Sequence, residues 1–291
     1  MAMETTNPTS VGAPTKKSHY DDVFGNTTWI WSILDKYLTP SAKATLLDNR
    51  LLPGYVQRPQ FSFASTNSIT ISPGVYELND GTTSRMVYWD SDLTYTFSNL
   101  TTVTTWCYLY LDESAISTGL LTTSEFTDST VKSTYIPARH GHYNGSDRCI
   151  LAVRSNTAGE IQYFAHEGDY FQYSAGSSDI SIAATIVSAW TTGTLKIPPF
   201  AQKAAVHWFA WFSGHEENGM IYRTAGSSVT AWGIRCVGLH STSTQLGQDT
   251  NQLNMITNSS QEVEYMTDST STAANVAITG YTNGYYFPKG M

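Results

Sequence analysis

The sequence predicts a mostly β protein: a short N-terminal α-helical arm followed by two antiparallel, jelly-roll-like β-sandwich domains. Three observations carry that expectation. Only 14% of the 291 residues are charged, well under the usual share of about 25%. The polar complement is instead Ser, Thr, Asn and Gln with many Tyr, a mixture that favours strands and the turns between them. From Phe61 onward, short runs of period-two alternation are separated by turn residues every eight to twelve positions, the pattern of a sandwich.

The arm spans residues 1–60. Asn7-Pro8 and Ala13-Pro14 interrupt its first residues, so a regular element is expected only after them. Ser18 followed by Asp21 resembles a capping box, and Tyr20, Val23, Phe24, Thr27, Ile30, Trp31, Leu34 and Leu38 fall at helical spacing. Pro40 closes this helix, because the residue before proline avoids the helical region. A second helix is expected over Ser41–Leu52, ending at Pro53-Gly54. Two short helices cannot cover their own apolar faces. Phe24, Trp29, Trp31, Leu34 and Tyr37 are therefore read as an attachment or oligomer interface.

The first β-domain is expected over 61–174. Ile69–Ile71, Val75–Leu78, Arg85–Trp89 and Thr94–Phe97 are separated by Ser72-Pro73-Gly74 and Asn79-Asp80-Gly81, both turn signatures. In Thr105–Leu111 the rings of Trp106, Tyr108 and Tyr110 share one face while Cys107, Leu109 and Leu111 share the other. Both faces are apolar, so both are expected to be covered. Arg148–Val153 and Glu160–Phe164 are predicted to pair as a hairpin about the polar turn Ser155–Gly159. The run Ser174-Ala175-Gly176-Ser177-Ser178 is the plainest linker in the chain.

The second β-domain is expected over 179–291. Its most apolar strand is Ala204–Ser213, where Trp208 and Trp211 fall on opposite faces. One is expected in the core and the other at a subunit or domain interface, so both stand as interface candidates. The aromatic run Tyr281–Phe287 closes the sequence, and Tyr281, Tyr285 and Tyr286 are the candidates for receptor contact.

Composition also bears on partners. A formal charge of −8, with no basic run longer than Lys16-Lys17, argues against a phosphate-binding surface and hence against nucleic acid. No apolar stretch approaches the roughly 20 residues that span a bilayer. Met1–Ser18 lacks the apolar centre of a signal peptide, so synthesis in a cytoplasm is expected. Cys107, Cys149 and Cys236 stand far apart in predicted strands, where a free thiol behaves as a small buried hydrophobe. His140 and His142 are the candidates for a metal, but a pair falls short of the three or four ligands a site needs; no cofactor is expected. No nucleophile elbow or P-loop is present. The enzyme alternative is a glycan-degrading tailspike built on a pair of carboxylates, and no rung period of a stacked β-helix supports it.

Several segments together resemble structural appendage proteins of tailed bacteriophages, the tail fibres, head fibres and their adaptors. They are VGAPTKKSHYDDVFGN in the arm; Trp106–Asp112, Pro137, Tyr143, Arg148–Val153 and Ile161–Phe164 in the first β-domain; and Leu195–Ala205, Gln261–Tyr265 and Ala277–Tyr281 in the second. The resemblance implies a non-enzymatic virion protein, usually a homotrimer, that binds other virion proteins through its arm; a host cell-surface glycan is a further candidate partner. The absence of a heptad shaft points to a short fibre rather than a long one. A capsid decoration or tail-hub adaptor that only bridges virion proteins is the alternative.

Overall fold

The computed structural model describes residues 39–40, 56–173, 178–183, 187–213, 217–237, 246–267 and 276–291. Along these the strands are β1 (Val56–Gln57), β2 (Phe61–Phe63), β3 (Ser68–Ile71), β4 (Gly74–Asn79), β5 (Ser84–Trp89), β6 (Leu93–Thr96), β7 (Trp106–Leu111), β8 (Phe126–Ser129), β9 (Thr134–Ile136), β10 (Gly141–Asn144) and β11 (Asp147–Arg154). There follow β12 (Phe164–Glu167), β13 (Tyr170–Tyr173), β14 (Ile180–Ala183), β15 (Thr191–Thr194), β16 (Lys203–Ser213), β17 (Glu217–Thr224), β18 (Ala231–Val237), β19 (Leu246–Ile256), β20 (Glu262–Thr267) and β21 (Val276–Tyr286). The fold is mostly β, in several antiparallel sheets. Of the expected helical arm, Phe24, Trp29, Trp31, Leu34 and Tyr37 lie outside the described residues. Its last residues are not helical: Val56 and Gln57 pair with Tyr76 and Val75.

In the N-terminal half, β1-β4-β5 and β2-β3-β6 are small sheets packed around the larger β8-β7-β11-β10-β9. The alternation in Trp106–Leu111 has the expected consequence. Cys107 to Leu111 are all buried, and so are Cys149 to Val153 on the neighbouring strand. The thiols of Cys107 and Cys149 are free and buried, and burial pushes Cys149 up to about 12; the side chain of Cys236 lies outside the described residues. The turn at Asn79–Gly81 also forms as its composition requires. Gly81 takes a φ of 99°, a conformation that costs glycine little, and an Asp80 carboxylate oxygen accepts from the N–H groups of Thr82 and Thr83, each at 2.7 Å.

Asp128 on β8 ties two of these sheets together. Its carboxylate accepts from the Tyr95 hydroxyl (2.8 Å), the Asn99 N–H (2.7 Å) and the N–H and hydroxyl of Ser98. Burial works against its charge, but those donors outweigh it and hold the carboxyl below its ordinary value.

The expected hairpin after β11 forms only beside its turn. The turn is present, with the Asn156 side chain accepting from the N–H groups of Ala158 and Glu160. Beside it the return begins: Ile161 bridges Ser155, the Asn156 N–H donates to Glu160 O and the Gln162 N–H donates to Arg154 O, each at 2.8 Å, but Ile161 gives its own N–H to Thr66 and the pairing stops there. Phe164 then opens a different hairpin, β12–β13, whose second strand pairs with β21 (Tyr170 with Tyr286, Phe171 with Tyr285). The sheet β12-β13-β21-β16-β19 therefore joins residues from both sides of the expected linker, and β14 pairs with β21 as well. A division at 174 does not follow the sheets, because the last strand of the sequence completes a sheet begun before it.

Over this sheet lies β15-β20-β17-β18. The two meet closely: a Cβ added at Gly193 on β15 would stand 2.8 Å from Ile180 Cγ1 on β14. Between them Trp208 is fully buried, its ring lying over Gly280 on β21, where an added Cβ would come within 2.7–3.0 Å of three ring carbons. Of the two tryptophans expected on opposite faces of β16, Trp208 is the one that enters the core, which withdraws it as an interface candidate. Replacing Gly280 with Val should cost about 1–3 kcal/mol by overpacking, read as a lower denaturant midpoint with an unchanged slope. Asp128→Ala, which leaves buried donors unmatched, should cost about 3 kcal/mol in the same assay.

Candidate functional site

The sheet β12-β13-β21-β16-β19 has an inner face, with Phe171, Ala204, Val206, Trp208, Met255 and Tyr285 buried. Residues of opposite phase therefore point outward. At one end of this outer face, Tyr170 on β13 faces Tyr286 on β21 with ring centroids 5.0 Å apart. The next outward position of β21 is Gly284. A Cβ there would stand 2.8 Å from Tyr170 Cε2 and 3.0 Å from its hydroxyl. Because that position is glycine, the Tyr170 ring lies against the sheet.

Polar groups surround the two rings. Lys203 Nζ sits 4.2 Å from the centroid of Tyr286, and the Tyr286 hydroxyl donates to Asn254 Oδ1 at 3.1 Å. Burial, with Tyr286 close by, pushes the Tyr170 phenol above its ordinary value, and its side chain is hydrogen-bonded with Gln252. Gln172, Lys203, Gln252 and Asn254 are exposed, while Tyr170 and Tyr286 are half-buried. Further along the same face, His207 stacks on Phe209 at 4.7 Å with rings almost parallel, and Phe209 meets Tyr281 edge-on at 5.8 Å. The result is a shallow platform of partly exposed rings bordered by amides and one ammonium. It can meet a flat C–H surface with its rings and exchange hydrogen bonds around the edge.

Two of the three tyrosines singled out in the sequence, Tyr281 and Tyr286, lie on this platform. Tyr285 does not. A bulge between Ala205 and Val206 shifts the phase of the pairing, and Tyr285 turns inward, fully buried, with its hydroxyl donating to Ala152 O. It is unavailable for receptor contact. Tyr170, Lys203 and Asn254 were missed, because nothing in the sequence places residues 170, 203, 254 and 286 side by side. The backbone of Trp211 is in β16, but its side chain lies outside the described residues.

The histidine pair lies elsewhere in the fold. His142 is buried against the rings of Tyr135 and Phe200, and burial, helped by Arg148, lowers it to about 4. His140, half-exposed and at a φ of 55°, has its Nδ1 3.6 Å from Glu77 Oε2. His140 is the left-handed residue before β10 and His142 lies within β10, and the two imidazoles meet different surroundings. Among the described residues no group of three or more His, Cys, Asp or Glu is placed to hold a metal.

No family model matches the chain, and no curated protein matches it. Among solved structures there are faint likenesses to capsid structures of infectious bursal disease virus. One is the Gx strain, at 12% identity over 80% of this chain and 71% of that one with a TM-score of 0.22. Another is the VP2 subviral particle, at 11% identity over 80% and 72% with a TM-score of 0.20. A Bacillus thuringiensis Cry1Da tryptic core variant follows at 8% identity over 80% and 50%, with a TM-score of 0.16. These scores are too low to carry an argument about fold or function.

Gly284→Ala should push β13 away from β21, because the new Cβ would run into the main-chain oxygen of Phe171, and should move the Tyr170 ring with it. The expected result is a changed tyrosine near-ultraviolet circular dichroism signal and a loss of about 1–3 kcal/mol of stability; an unchanged spectrum would mean that Tyr170 does not depend on Gly284.

Proposed function

We propose that this protein is a non-enzymatic structural component of a bacteriophage particle, a short tail fibre or fibre-like appendage. Its N-terminal residues attach it to the particle, and its β body touches a host-surface glycan. The observation that carries the second part is the platform on which Tyr170 lies over Gly284 beside Tyr286, with Gln172, Gln252 and Asn254 around it. Pyranose rings offer C–H faces to aromatic rings and hydroxyls to amides, and the platform presents both complements. Its one nearby cation, Lys203, is held over Tyr286.

The rest of the reading is in keeping with the resemblance. The body is the mostly β fold, and the attachment falls to the N-terminal residues, among them Phe24, Trp29, Trp31, Leu34 and Tyr37. Three copies bury the arm's apolar surface together with other virion proteins, because one copy cannot cover it. Repeated weak glycan contacts then gain strength through avidity. The protein resides in the virion after assembly in the host cytoplasm.

Binding of the full chain to a panel of immobilised neutral and acidic oligosaccharides tests the platform. Tyr170→Ala and Tyr286→Ala should each weaken the sugar interaction about tenfold, as truncation of a contact ring does at a binding surface. Equal binding by both variants would refute the assignment. Light scattering should give three times the chain mass, and removing residues 1–55 should prevent incorporation into particles while leaving a folded body. A monomeric full chain would rule out the threefold assembly.

A further inference from the structure

Strand β2 is the edge of its sheet and β12 is the edge of another. An exposed edge must be paired, covered or blunted. Here the two edges meet, and a side chain joins them: the main-chain N–H of Phe61 on β2 donates to Nδ1 of His166 on β12 at 3.0 Å. The other ring nitrogen, Nε2, lies 3.0 Å from Gly168 O and must be the protonated one, since a carbonyl can only accept. The imidazole is thus fixed as a neutral Nε2–H tautomer. The Gln60 amide donates to the main-chain oxygen of His166, reinforcing the same junction.

We propose that His166 is an acid-operated latch. A proton taken up at Nδ1 replaces the acceptor with a donor that faces the Phe61 N–H, and the seam between β2 and β12 opens.

The surroundings make the imidazole intolerant of charge. His166 is buried, and its ring is packed against Phe61 (5.4 Å), Phe287 (5.2 Å) and Phe171 (6.2 Å). Those three rings come from β2, from the residue after β21 and from β13, so aromatic rings of three elements meet the imidazole. Two charged groups act on it. Arg58, in the segment before β2, opposes protonation, and Asp169, in the β12–β13 turn, favours it. The two are themselves an ion pair, so their effects offset. Burial dominates, the carbonyl of Gly168 works against it, and His166 is lowered to about 4.

The sign follows from linkage. With the seam open, the imidazole returns to its ordinary value of about 6.5. The open form therefore binds more protons between that value and about 4. The latch is at full strength above about 6.5 and weakens as pH falls. Across that window the open-to-closed ratio rises by up to about tenfold per unit, levelling off below about 4. Opening would uncover the edges of β2 and β12 and loosen Arg58 from the main-chain oxygen of Met291, to which its Nε donates at 2.8 Å.

Amide hydrogen exchange of the full chain, expressed as protection factors at pH 7, 6, 5 and 4.5, reads the latch directly. Protection at Phe61–Phe63 should fall at least tenfold between pH 6.5 and 4.5 while β7 and β11 keep theirs. His166→Asn retains an acceptor that cannot titrate at these pH values, and should remove that dependence. His142→Asn should leave it intact, separating the latch from the other buried imidazole. Unchanged protection at Phe61, an equal loss in His166→Asn, or a loss shared by β7 and β11 would each overturn the proposal. Should His166→Asn not fold, the wild-type His166 ring must still titrate near 4 by NMR; titration near 6.5 would overturn it as well.

Discussion

The hydroxyl of Tyr285 donates to the carbonyl of Ala152, 133 positions earlier in the chain, at 2.9 Å and out of reach of solvent. Much else rests on that contact. A buried phenol needs a partner, and this one finds it on β11, the central strand of the N-terminal half. Around the ring stand Trp106, Phe171, Phe200 and Phe287, each with its centroid 5.1–5.8 Å away. These residues come from both halves of the sequence, so the two halves have one continuous core. Neither can expose its share of this cluster without cost, which couples their stabilities. Contacts of such long sequence separation also form late, after much chain entropy has been lost.

The same seam explains where the scarce charges are. Arg148 is fully buried between the rings of Tyr76 and Tyr143. It donates to the carbonyls of Glu77 and of Gly290, the latter at 3.1 Å. Gly141 makes room for it, since an added Cβ would stand 3.1 Å from the guanidinium carbon. In the second half, Lys196 reaches the buried carboxylate of Asp179 at 2.5 Å, and that carboxylate also accepts from the Lys196 N–H and the Thr282 hydroxyl. Arg148 and Asp179 therefore link strands across the core, and breaking either would strand a buried charge. The outward platform, by contrast, is built from aromatic rings, the His207 imidazole and amides, with Lys203 beside them.

Small residues decide how that platform is shaped. Gly284 lets Tyr170 lie against the sheet, and Gly280, on the opposite face of the same strand, receives Trp208. One strand thus provides a flat seat on each side, one for the core and one for the surface. The bulge at Ala205/Val206 supplies the change of phase that allows both. Without it, Tyr285 and Tyr286 would exchange faces relative to the tryptophan, because a shift of one residue inverts every side chain of a strand.

What the sequence determined by itself was local. Apolar residues on both faces mark Trp106–Leu111 and Cys149–Val153 as strands covered on both sides, and Asn79-Asp80-Gly81 announces its turn, since neighbours along the chain set backbone geometry. Which strand lies beside which was decided by tertiary structure. The return of residues 160–164 onto β11 looked natural, yet the backbone of Ile161 bonds to Thr66 and the chain moves on to pair with its own far end. Strand patterning says that Tyr285 and Tyr286 point opposite ways; only the bulge and the cluster around Ala152 determine which one is inside. Period-two alternation carries no information about partner or phase, because every antiparallel edge offers the same N–H and C=O groups. That choice falls to the side chains that close the core.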